Sequence, residues 1–274
     1  MTTDTPETPA ALTETFDACR VGDALFARAY AKTGDRGRAL IKSSIARLFE
    51  ARNPGGPVAA TLAERFPGGG VRTQYVAARP WFALVLDPET TSPAQLVAAV
   101  MPAVAARIPL VAVLRPKGRG PWPHALLTTL ELCGVEQVFS PTLAQLGECL
   151  SALRERHGVG GVACLGFEPF WNRVRPLCAP ASAVHWLRAP SEIGLLDQAS
   201  LEWDREAVAF AHAGTALREY PDAAALAAAG HDAVLARTGA APGASLTLEP
   251  GCETLWDWPE MPRELFFGRR LVYS

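Results

Sequence analysis

Residues 81–114 read WFALVLDPETTSPAQLVAAVMPAVAARIPLVAVL, and this stretch decides the fold. Two wholly apolar runs, WFALVL and PLVAVL, enclose a polar turn and a segment of helical composition. Strands that are covered by helices on both faces lose the alternation of apolar and polar residues and become apolar throughout. The stretch therefore predicts a strand–helix–strand unit of a parallel sheet.

The same alternation continues toward the C-terminus as far as residue 187. Further strands are predicted at EQVFS (136–140), GGVACLG (160–166) and AVHWL (183–187), with helices at HALLTTLELCG (124–134), TLAQLGECLSALRERHG (142–158) and FEPFWNRVRPLC (167–178). Repeated units of this kind place parallel strands between two layers of helices. We therefore expect an α/β protein with a doubly wound, mostly parallel Rossmann-like sheet over residues 81–187.

The flanking segments have a different pattern. Residues 11–66 repeat apolar residues at three- and four-residue spacing, which predicts helices, among them a short one at VAATLAERF (58–66). VRTQYVAA (71–78) is predicted as a strand. After residue 188 we expect strands at IGLL, SLTL and FFGRRLVYS, the last at a sheet edge, and helices at REAVAFAHAGTALREY and DAAALAAAGHDAVLART.

These patterns divide the chain into three parts. Residues 1–75 form an N-terminal helical segment, residues 76–190 the Rossmann-like domain, and residues 191–274 a short C-terminal α+β part. We expect the C-terminal part to pack back on the N-terminal one.

The composition argues against several partners and locations. The chain has 274 residues, 49% hydrophobic and 20% charged, with a formal net charge of −2, which gives no reason to expect nucleic acid or an anionic membrane surface as a partner. No apolar run reaches the roughly 20 residues of a membrane-spanning helix. The N-terminal MTTDTPETPA is acidic and rich in Thr and Pro, unlike a secretion signal. We therefore expect a cytoplasmic protein.

Motifs for metals and nucleotides are missing from the sequence. The six cysteines are scattered without a Cys-x-x-Cys pair and are expected to be buried structural thiols. The five histidines form no His-x-x-x-His pair, so no metal site is predicted. The turn DPETTSP, after the first predicted strand, contains no glycine, and RPKGRGPWP lacks the third glycine of a dinucleotide fingerprint. The glycines of GVGGVACLG are expected to allow close backbone packing.

Two residues invite a ligand-binding interpretation. His212 lies on an otherwise apolar predicted helix, where it is either a core histidine with one hydrogen bond or a ligand contact. Ser191 follows Pro190 in RAPSEIGLLD and either caps a turn or contacts a ligand. No catalytic nucleophile is predicted, because Ser191 lacks a Gly-x-Ser-x-Gly surround. Cys252 lies between Glu249 and Glu253, whose charges oppose thiolate formation.

Three pieces, in their order and spacing, resemble histidinol dehydrogenase, a family of the larger aldehyde-dehydrogenase-like fold. They are residues 79–116, 130–146 and 175–197, within a similarity that covers residues 79–212. The most specific parts are GVEQVFSPTLAQL, similar to a family segment that ends in Gly-Gly-Ala-Gln, and APSEIGLLD, similar to its Gly-Pro-Ser-Glu segment.

The resemblance implies roles for four residues. Gln145 matches a glutamine that contacts NAD, although a plain polar residue at a helix start explains it equally well. Ser182 stands where the family has an asparagine that contacts NAD. Ser191 matches a serine that contacts the substrate. His212 ends Ala209–His212, where the family's zinc helix reads Gln-Ala-Glu-His, and we expect it to contact substrate.

The sequence also departs from the family at its chemical positions. Ala179 and Ala181 replace two glycines and add methyl groups where backbone would approach a phosphate. Glu89 and Thr90 replace another Gly-Gly pair, and Leu86 replaces a tyrosine at the cofactor. The last 60 residues contain no match to the family's paired Glu-His catalytic residues. We therefore assign no catalytic residue and expect no cofactor, with NAD as the open alternative.

Two functional hypotheses follow. The first is a divergent, non-catalytic relative that serves as a small-ligand or partner-binding module, with a homo-oligomer also open. The second is an NAD-dependent oxidoreductase whose active site is completed by a second subunit, in which Gln145, Ser191 and His212 converge on one cleft.

Overall fold

The computed structural model describes residues 14–52, 59–118, 120–178 and 183–274. Helices within these ranges are α1 (Glu14–Cys19), α2 (Asp23–Arg52), α3 (Pro93–Ala105), α4 (His124–Leu132), α5 (Leu143–His157), α6 (Glu168–Cys178), α7 (Arg205–Ala211) and α8 (Ala223–Ala229). The strands are β1 (Ala60–Arg65), β2 (Val71–Ala78), β3 (Trp81–Leu86), β4 (Leu110–Leu114), β5 (Gln137–Phe139), β6 (Gly161–Gly166), β7 (Ala183–Arg188), β8 (Glu192–Leu196), β9 (Ala216–Tyr220), β10 (Ala233–Leu235), β11 (Leu246–Leu248) and β12 (Phe267–Tyr273). None of these helices combines the length and apolarity needed to cross a membrane.

The central sheet contains β3 to β7 in the order β5-β4-β3-β6-β7, and its strand pairs are all parallel. From β3 the chain builds outward to one edge and then returns to build the other. The winding direction therefore changes between β3 and β6, where ligands of open α/β sheets commonly bind. The doubly wound, parallel sheet predicted from the sequence is confirmed.

Helices cover both faces of this sheet, which explains its apolar strands. Every residue of β3 is buried. Phe82 and Leu84 belong to the core on the side of α2, α3 and α4, whereas Trp81 and Val85 belong to the core with α1, α5 and α6. Because each fully buried apolar side chain contributes roughly 1.5–3 kcal/mol, both faces stabilise the sheet.

A second sheet contains β8 to β11 in the order β11-β10-β8-β9, and its strand pairs are also parallel. The sequence predicted helices and strands for this C-terminal part but not a second parallel sheet. The short link of residues 189–191 joins β7 of the central sheet directly to β8 of the second one.

The third sheet is antiparallel, with the order β1-β2-β12. None of its residues is buried. The predicted strand at residues 71–78 and the edge strand at the C-terminus are confirmed. The helix predicted at residues 58–66 is wrong, because Ala60–Arg65 pairs with β2 across a turn in which Gly69 has φ 91°.

Two predicted C-terminal helices are wrong in their second halves. The segment that begins at Arg205 is helical only to Ala211, after which Gly214 with φ 82° leads into β9. The segment that begins at Asp222 is helical only to Ala229, because Gly230 adopts the left-handed conformation that ends a helix. Both segments then supply parallel strands, so tertiary pairing overrides the helical spacing.

Candidate functional site

A cleft of about 420 Å³ lies where the two parallel sheets meet. It is bordered by the carboxyl ends of β6 and β7 and by the amino ends of β8 and β10. Clefts of this size accommodate small organic ligands. The lining residues are Phe167, Glu168, Pro169, Arg188, Ala189, Pro190, Ser191, Glu192, Gly230, His231 and Asp232.

Ser191 lies in the link between the sheets, and hydrogen bonds hold this link on both sides. The Ala189 amide donates to the Gly166 carbonyl at 3.1 Å, and the Ala216 amide donates to the Ser191 carbonyl at 3.0 Å. Ala189 is buried, whereas Ser191 is exposed and lines the cleft. The backbone thus fixes the position of Ser191 in the cleft lining, and its substrate role stays a prediction.

His231 lines the cleft and forms a polar pair with Tyr220. The Tyr220 hydroxyl lies 2.7 Å from His231 Nε2, and the two rings meet edge to face at 5.5 Å. A Cβ atom on Gly194 would lie 2.8 Å from the His231 ring. The packing therefore holds the imidazole in one orientation against the cleft.

Charged groups of both signs surround this pair. Arg218 donates to the Glu192 carboxylate from Nη2 at 2.7 Å and from Nε at 3.0 Å, which lowers the pKa of Glu192. Asp232 and Arg188 also line the cleft. The arrangement is suited to hydrogen bonding and charge recognition of a small polar molecule.

Asp87 fills the space between the carboxyl ends of β3 and β6, where the winding direction of the sheet changes. This carboxylate is 4% exposed and accepts hydrogen bonds from the Glu89 amide at 2.9 Å and the Phe167 amide at 3.4 Å. Burial raises its pKa. A Cβ atom on Gly166 would lie 2.4 Å from the Asp87 side chain. The two strand ends are therefore packed against each other through Asp87.

The N-terminus of α3 is also covered. The Ser92 hydroxyl accepts from the Gln95 amide at 3.2 Å and donates to the Ala211 carbonyl at 2.7 Å, and Thr91 donates to the Ala213 carbonyl at 2.7 Å. In dinucleotide-binding Rossmann folds, phosphate lies at the N-terminus of the helix that follows the first strand. Here the last residue of α7 and the chain that follows it accept these hydrogen bonds and cover the start of α3.

Gly160, just before β6, and Gly161, its first residue, allow close packing, as expected from the sequence, whereas Gly158 has no atom within 4 Å of a Cβ position. A Cβ atom on Gly160 would lie 2.1 Å from the Trp81 ring, and one on Gly161 would lie 2.0 Å from the Leu265 carbonyl oxygen. Neither position tolerates a side chain without movement of its neighbours.

Of the two residues assigned to NAD, Gln145 is described and is not among the residues that line the cleft. Gln145 is in the first turn of α5, where its side-chain oxygen accepts from the Thr142 backbone amide at 2.9 Å and its own backbone amide donates to the Thr142 hydroxyl at 3.3 Å. This reciprocal capping box stabilises the helix start. Ser182, with Ala179 and Ala181, lies outside the described residues. The NAD contacts of Gln145 and Ser182 stay predictions.

His212 follows α7 and is 4% exposed. Its Nε2 lies 2.8 Å from the Glu253 carbonyl oxygen, and its ring meets Trp256 at 5.7 Å. Burial lowers its pKa to about 4. The expected convergence of Gln145, Ser191 and His212 on one cleft is not observed, because the cleft at Ser191 is lined by neither of the others.

Within the described ranges, no group of three or more His, Cys, Asp or Glu side chains is arranged to hold a metal ion. None of the described cysteines forms a disulfide bond, and five of the six are buried, as the sequence predicted.

Sequence reasoning missed the Tyr220–His231 pair and the closure by Asp87. Asp87 had a usable signal, because it directly follows a strand that was correctly predicted and so lies at the carboxyl edge of the sheet. Tyr220 and His231 had no such signal, because they lie in the two segments that the sequence predicted as C-terminal helices.

The fold is similar to that of solved dehydrogenases. Histidinol dehydrogenase from Elizabethkingia anophelis matches with a TM-score of 0.57 and 11% identity, covering 93% of this chain and 76% of that one. This match confirms the fold implied by the sequence resemblance. No protein-family model and no curated protein sequence matches the chain.

Two further matches are weaker. Indole-3-acetaldehyde dehydrogenase in apo form matches with a TM-score of 0.42 and 9% identity, covering 95% of this chain and 86% of that one. An aldehyde dehydrogenase from Brucella melitensis biovar abortus 2308 matches with a TM-score of 0.40 and 17% identity, covering 74% and 44%. At these scores neither match supports an argument about function.

Proposed function

We propose that the chain is a divergent, non-catalytic relative of histidinol dehydrogenase that binds a small polar molecule in the cleft at Ser191. The observation that carries this proposal is the cleft itself, in which an exposed serine is held by backbone hydrogen bonds beside charged groups of both signs. Such convergence of a few fixed polar groups in a concave site is typical of small-molecule binding.

The non-catalytic part of the proposal is supported by how the polar groups at the cleft are already engaged. His231 Nε2 is bonded to Tyr220, and the Glu192 carboxylate is bonded to Arg218. Both Arg218 nitrogen atoms donate to the same Glu192 oxygen, Oε1. These bonds hold His231 and Glu192 in fixed positions, in which we propose that they recognise a ligand rather than take up its protons.

A ligand screen with two matched variants tests the proposal. Ser191→Tyr fills the cleft, whereas Ser151→Tyr adds the same side chain on the exposed face of α5. In thermal-shift measurements with a library of small polar metabolites, we expect at least one compound to stabilise the wild type and Ser151→Tyr but not Ser191→Tyr. Equal stabilisation of Ser191→Tyr, or no stabilising compound at all, contradicts the assignment.

The alternative is an NAD-dependent oxidoreductase completed by a second subunit. Its support is the sequence resemblance at Gln145 and Ser182. Against it stand the covered N-terminus of α3 and the closure at Asp87. We expect titration calorimetry to detect no NAD binding at micromolar concentrations.

A matched pair of variants separates the two functions if NAD does bind. Gln145→Ala removes both the amide side chain and the capping box, whereas Thr142→Ala removes only the cap. Micromolar NAD binding that Gln145→Ala abolishes and Thr142→Ala retains favours the oxidoreductase.

The partner that we propose is a second copy of the chain, bound through the antiparallel sheet. Leu62 and Leu271 lie opposite Gln74 on one face and are 55% and 45% exposed, and Tyr273 on the same face is 65% exposed. A groove of about 350 Å³ runs along this face. Exposed apolar clusters of this kind mark interaction sites.

Charge favours self-association through this face. A two-fold interface brings identical surfaces together, so uncompensated charges repel their own copies. On this face Glu64 pairs with Arg72, and Glu264 lies 3.9 Å from Arg269. The opposite face presents Arg65 and Arg270, and we therefore propose the face of Leu62 and Leu271, whose charges are paired, as the interface.

Light scattering coupled to size-exclusion chromatography tests this interface. We expect twice the 29.2 kDa chain mass for the wild type and for Val159→Glu, a change at another exposed apolar residue. The double variant Leu62→Glu/Leu271→Glu is expected to be monomeric. A monomeric wild type, or a dimer that survives the double substitution, contradicts the proposal.

The expectations of a cytoplasmic location and of no nucleic-acid or membrane partner stay predictions.

A further inference from the structure

Two buried thiols meet between β6 and α6. Cys164 lies on β6, and Cys178 is the last residue of α6, 14 positions later. They are 0% and 3% exposed, and their Sγ atoms are 3.8 Å apart. A disulfide bond is about 2.05 Å long, so an approach of less than about 2 Å joins the two sulfur atoms.

The backbone shows which of the two residues can move. Cys164 is held between strand neighbours on both sides, opposite Val85 of β3 and Trp186 of β7. Cys178 ends its helix, and the last turn of a helix lacks the hydrogen bonds that a following turn would supply. A small shift of the helix end therefore brings Cys178 to Cys164.

The chemistry of the two sulfur atoms differs. A hydrogen bond from the Cys164 thiol stabilises the thiolate of Cys178 and lowers its pKa. Burial and the same contact raise the pKa of Cys164. Because the thiolate is the nucleophilic form of cysteine, Cys178 is the attacking group and Cys164 the resolving one.

We propose that Cys164 and Cys178 form a reversible dithiol–disulfide site that is oxidised by hydrogen peroxide, a molecule small enough to reach a thiol that is 3% exposed. The Cys178 thiolate attacks one oxygen atom of the peroxide, whose O–O bond breaks and releases hydroxide, which takes up a proton to form water, so that Cys178 becomes a sulfenic acid. The Cys164 sulfur then attacks the Cys178 sulfur, the Cys164 proton passes to the departing hydroxyl group, and the S–O bond breaks to release a second water. Two protein thiols become one disulfide, and the peroxide is reduced to two water molecules.

The oxidised bond ties the C-terminal end of α6 to the central sheet. The other end of α6 begins with Glu168 and Pro169, which line the cleft at Ser191. Closing a loop of this length restricts the unfolded chain, and we expect the melting temperature to rise by roughly 5–10 °C. This inference is independent of the ligand proposed for the cleft.

The chain contains an internal comparison. Cys19 and Cys149 also lie within hydrogen-bonding distance of each other, but the pKa of Cys19 is raised and burial raises that of Cys149 to about 12. Neither therefore supplies a thiolate near neutral pH. Oxidation is expected at Cys164 and Cys178 before it occurs at Cys19 and Cys149.

Peptide mapping of the full chain tests the site. The reduced protein is incubated under native conditions with hydrogen peroxide, its remaining thiols are alkylated in acid-quenched denaturant, and digests are analysed by mass spectrometry. We expect a cross-link between the peptides of Cys164 and Cys178 that is reversed by dithiothreitol and accompanied by the rise in melting temperature. A cross-link between Cys19 and Cys149 alone, or links that appear only in the unfolded chain, overturns the proposal.

Single variants control for non-specific oxidation. Cys178→Ser is expected to lose the cross-link, whereas Cys133→Ser, at a buried thiol after α4, is expected to retain it. If Cys178→Ser does not fold, the rate of cross-linking in the wild type decides. That rate should increase with pH as the Cys178 thiolate forms, and a pH-independent rate overturns the assigned order of attack.

Discussion

Two places at the carboxyl edge of the central sheet differ in how the chain fills them. Between β3 and β6, Asp87 joins the strand ends, and the start of α3 is covered by the end of α7 and the chain that follows it. Beyond β6 and β7, the link at Ser191 leaves a cleft of about 420 Å³. The same parallel topology thus produces a closed edge and an open one. The side chains, rather than the fold, determine where a ligand can enter.

The largest expected effect is a loss of folding stability at low pH, caused by protonation of His212 beside the closed edge. His212 lies next to Ala211, whose carbonyl holds Ser92, and its folded pKa of about 4 is below the ordinary value near 6.5. The unfolded chain therefore binds more protons between these pH values. The contribution of neutral, buried His212 to the free energy of unfolding is fully present above pH 6.5. It is lost as the pH falls to 4, which lowers the free energy of unfolding by roughly 3 kcal/mol.

Urea unfolding from pH 7.5 to 4 measures this loss. His212→Gln is expected to be less stable at neutral pH and to have a flatter profile, whereas His124→Gln, at an exposed histidine, should keep the wild-type slope. An NMR titration that gives His212 a pKa near 6.5 contradicts the burial argument.

A pair of glycine substitutions compares the two places directly. Gly166→Ala at the closed edge places a Cβ atom 2.4 Å from Asp87, and such overpacking costs about 1–3 kcal/mol. Gly230→Ala at the cleft meets no atom within 4 Å but has φ 67°, which costs about 1 kcal/mol. Denaturant unfolding should rank Gly166→Ala as the more damaging. The reverse ranking would mean that Gly166 and Asp87 are not closely packed against each other.

The smallest effect is expected for Asp87→Asn. Burial raises the folded pKa of Asp87, so the charged carboxylate lowers stability at neutral pH. The amide oxygen of asparagine still accepts from one of the two backbone amides. We expect a small gain in stability at pH 7 that disappears near pH 3, where the wild-type carboxyl is protonated. If Asp87→Asn loses more stability at pH 7 than at pH 3, the desolvation argument is contradicted.

The sequence predicted all five strands of the central sheet, whereas several strands outside this sheet were predicted as helices. The strands of the central sheet were recognised because burial on both faces makes them wholly apolar, as in WFALVL. The strand ALREY was missed because it is only partly covered and continues a helical spacing. At Ala60–Arg65 the antiparallel partner β2, rather than local preference, selects the strand.

The candidate site was predicted only in part for the same reason. Ser191 was found through the resemblance of a contiguous segment. His231 and Tyr220 come together only when two short strands are in place, so no local pattern marks them. Asp87 acts through Gly166, 79 positions later in the chain, a contact that only the winding of the sheet creates.

The central claim is that a ligand enters at the open edge and not at the closed one. Its most direct test is a crystal structure of the chain grown with millimolar NAD and with a compound that stabilises the wild type. We expect density for the compound between Ser191 and His231, and none for NAD at the start of α3. Dinucleotide density beside Ser92, with Ala211 displaced, would contradict the account.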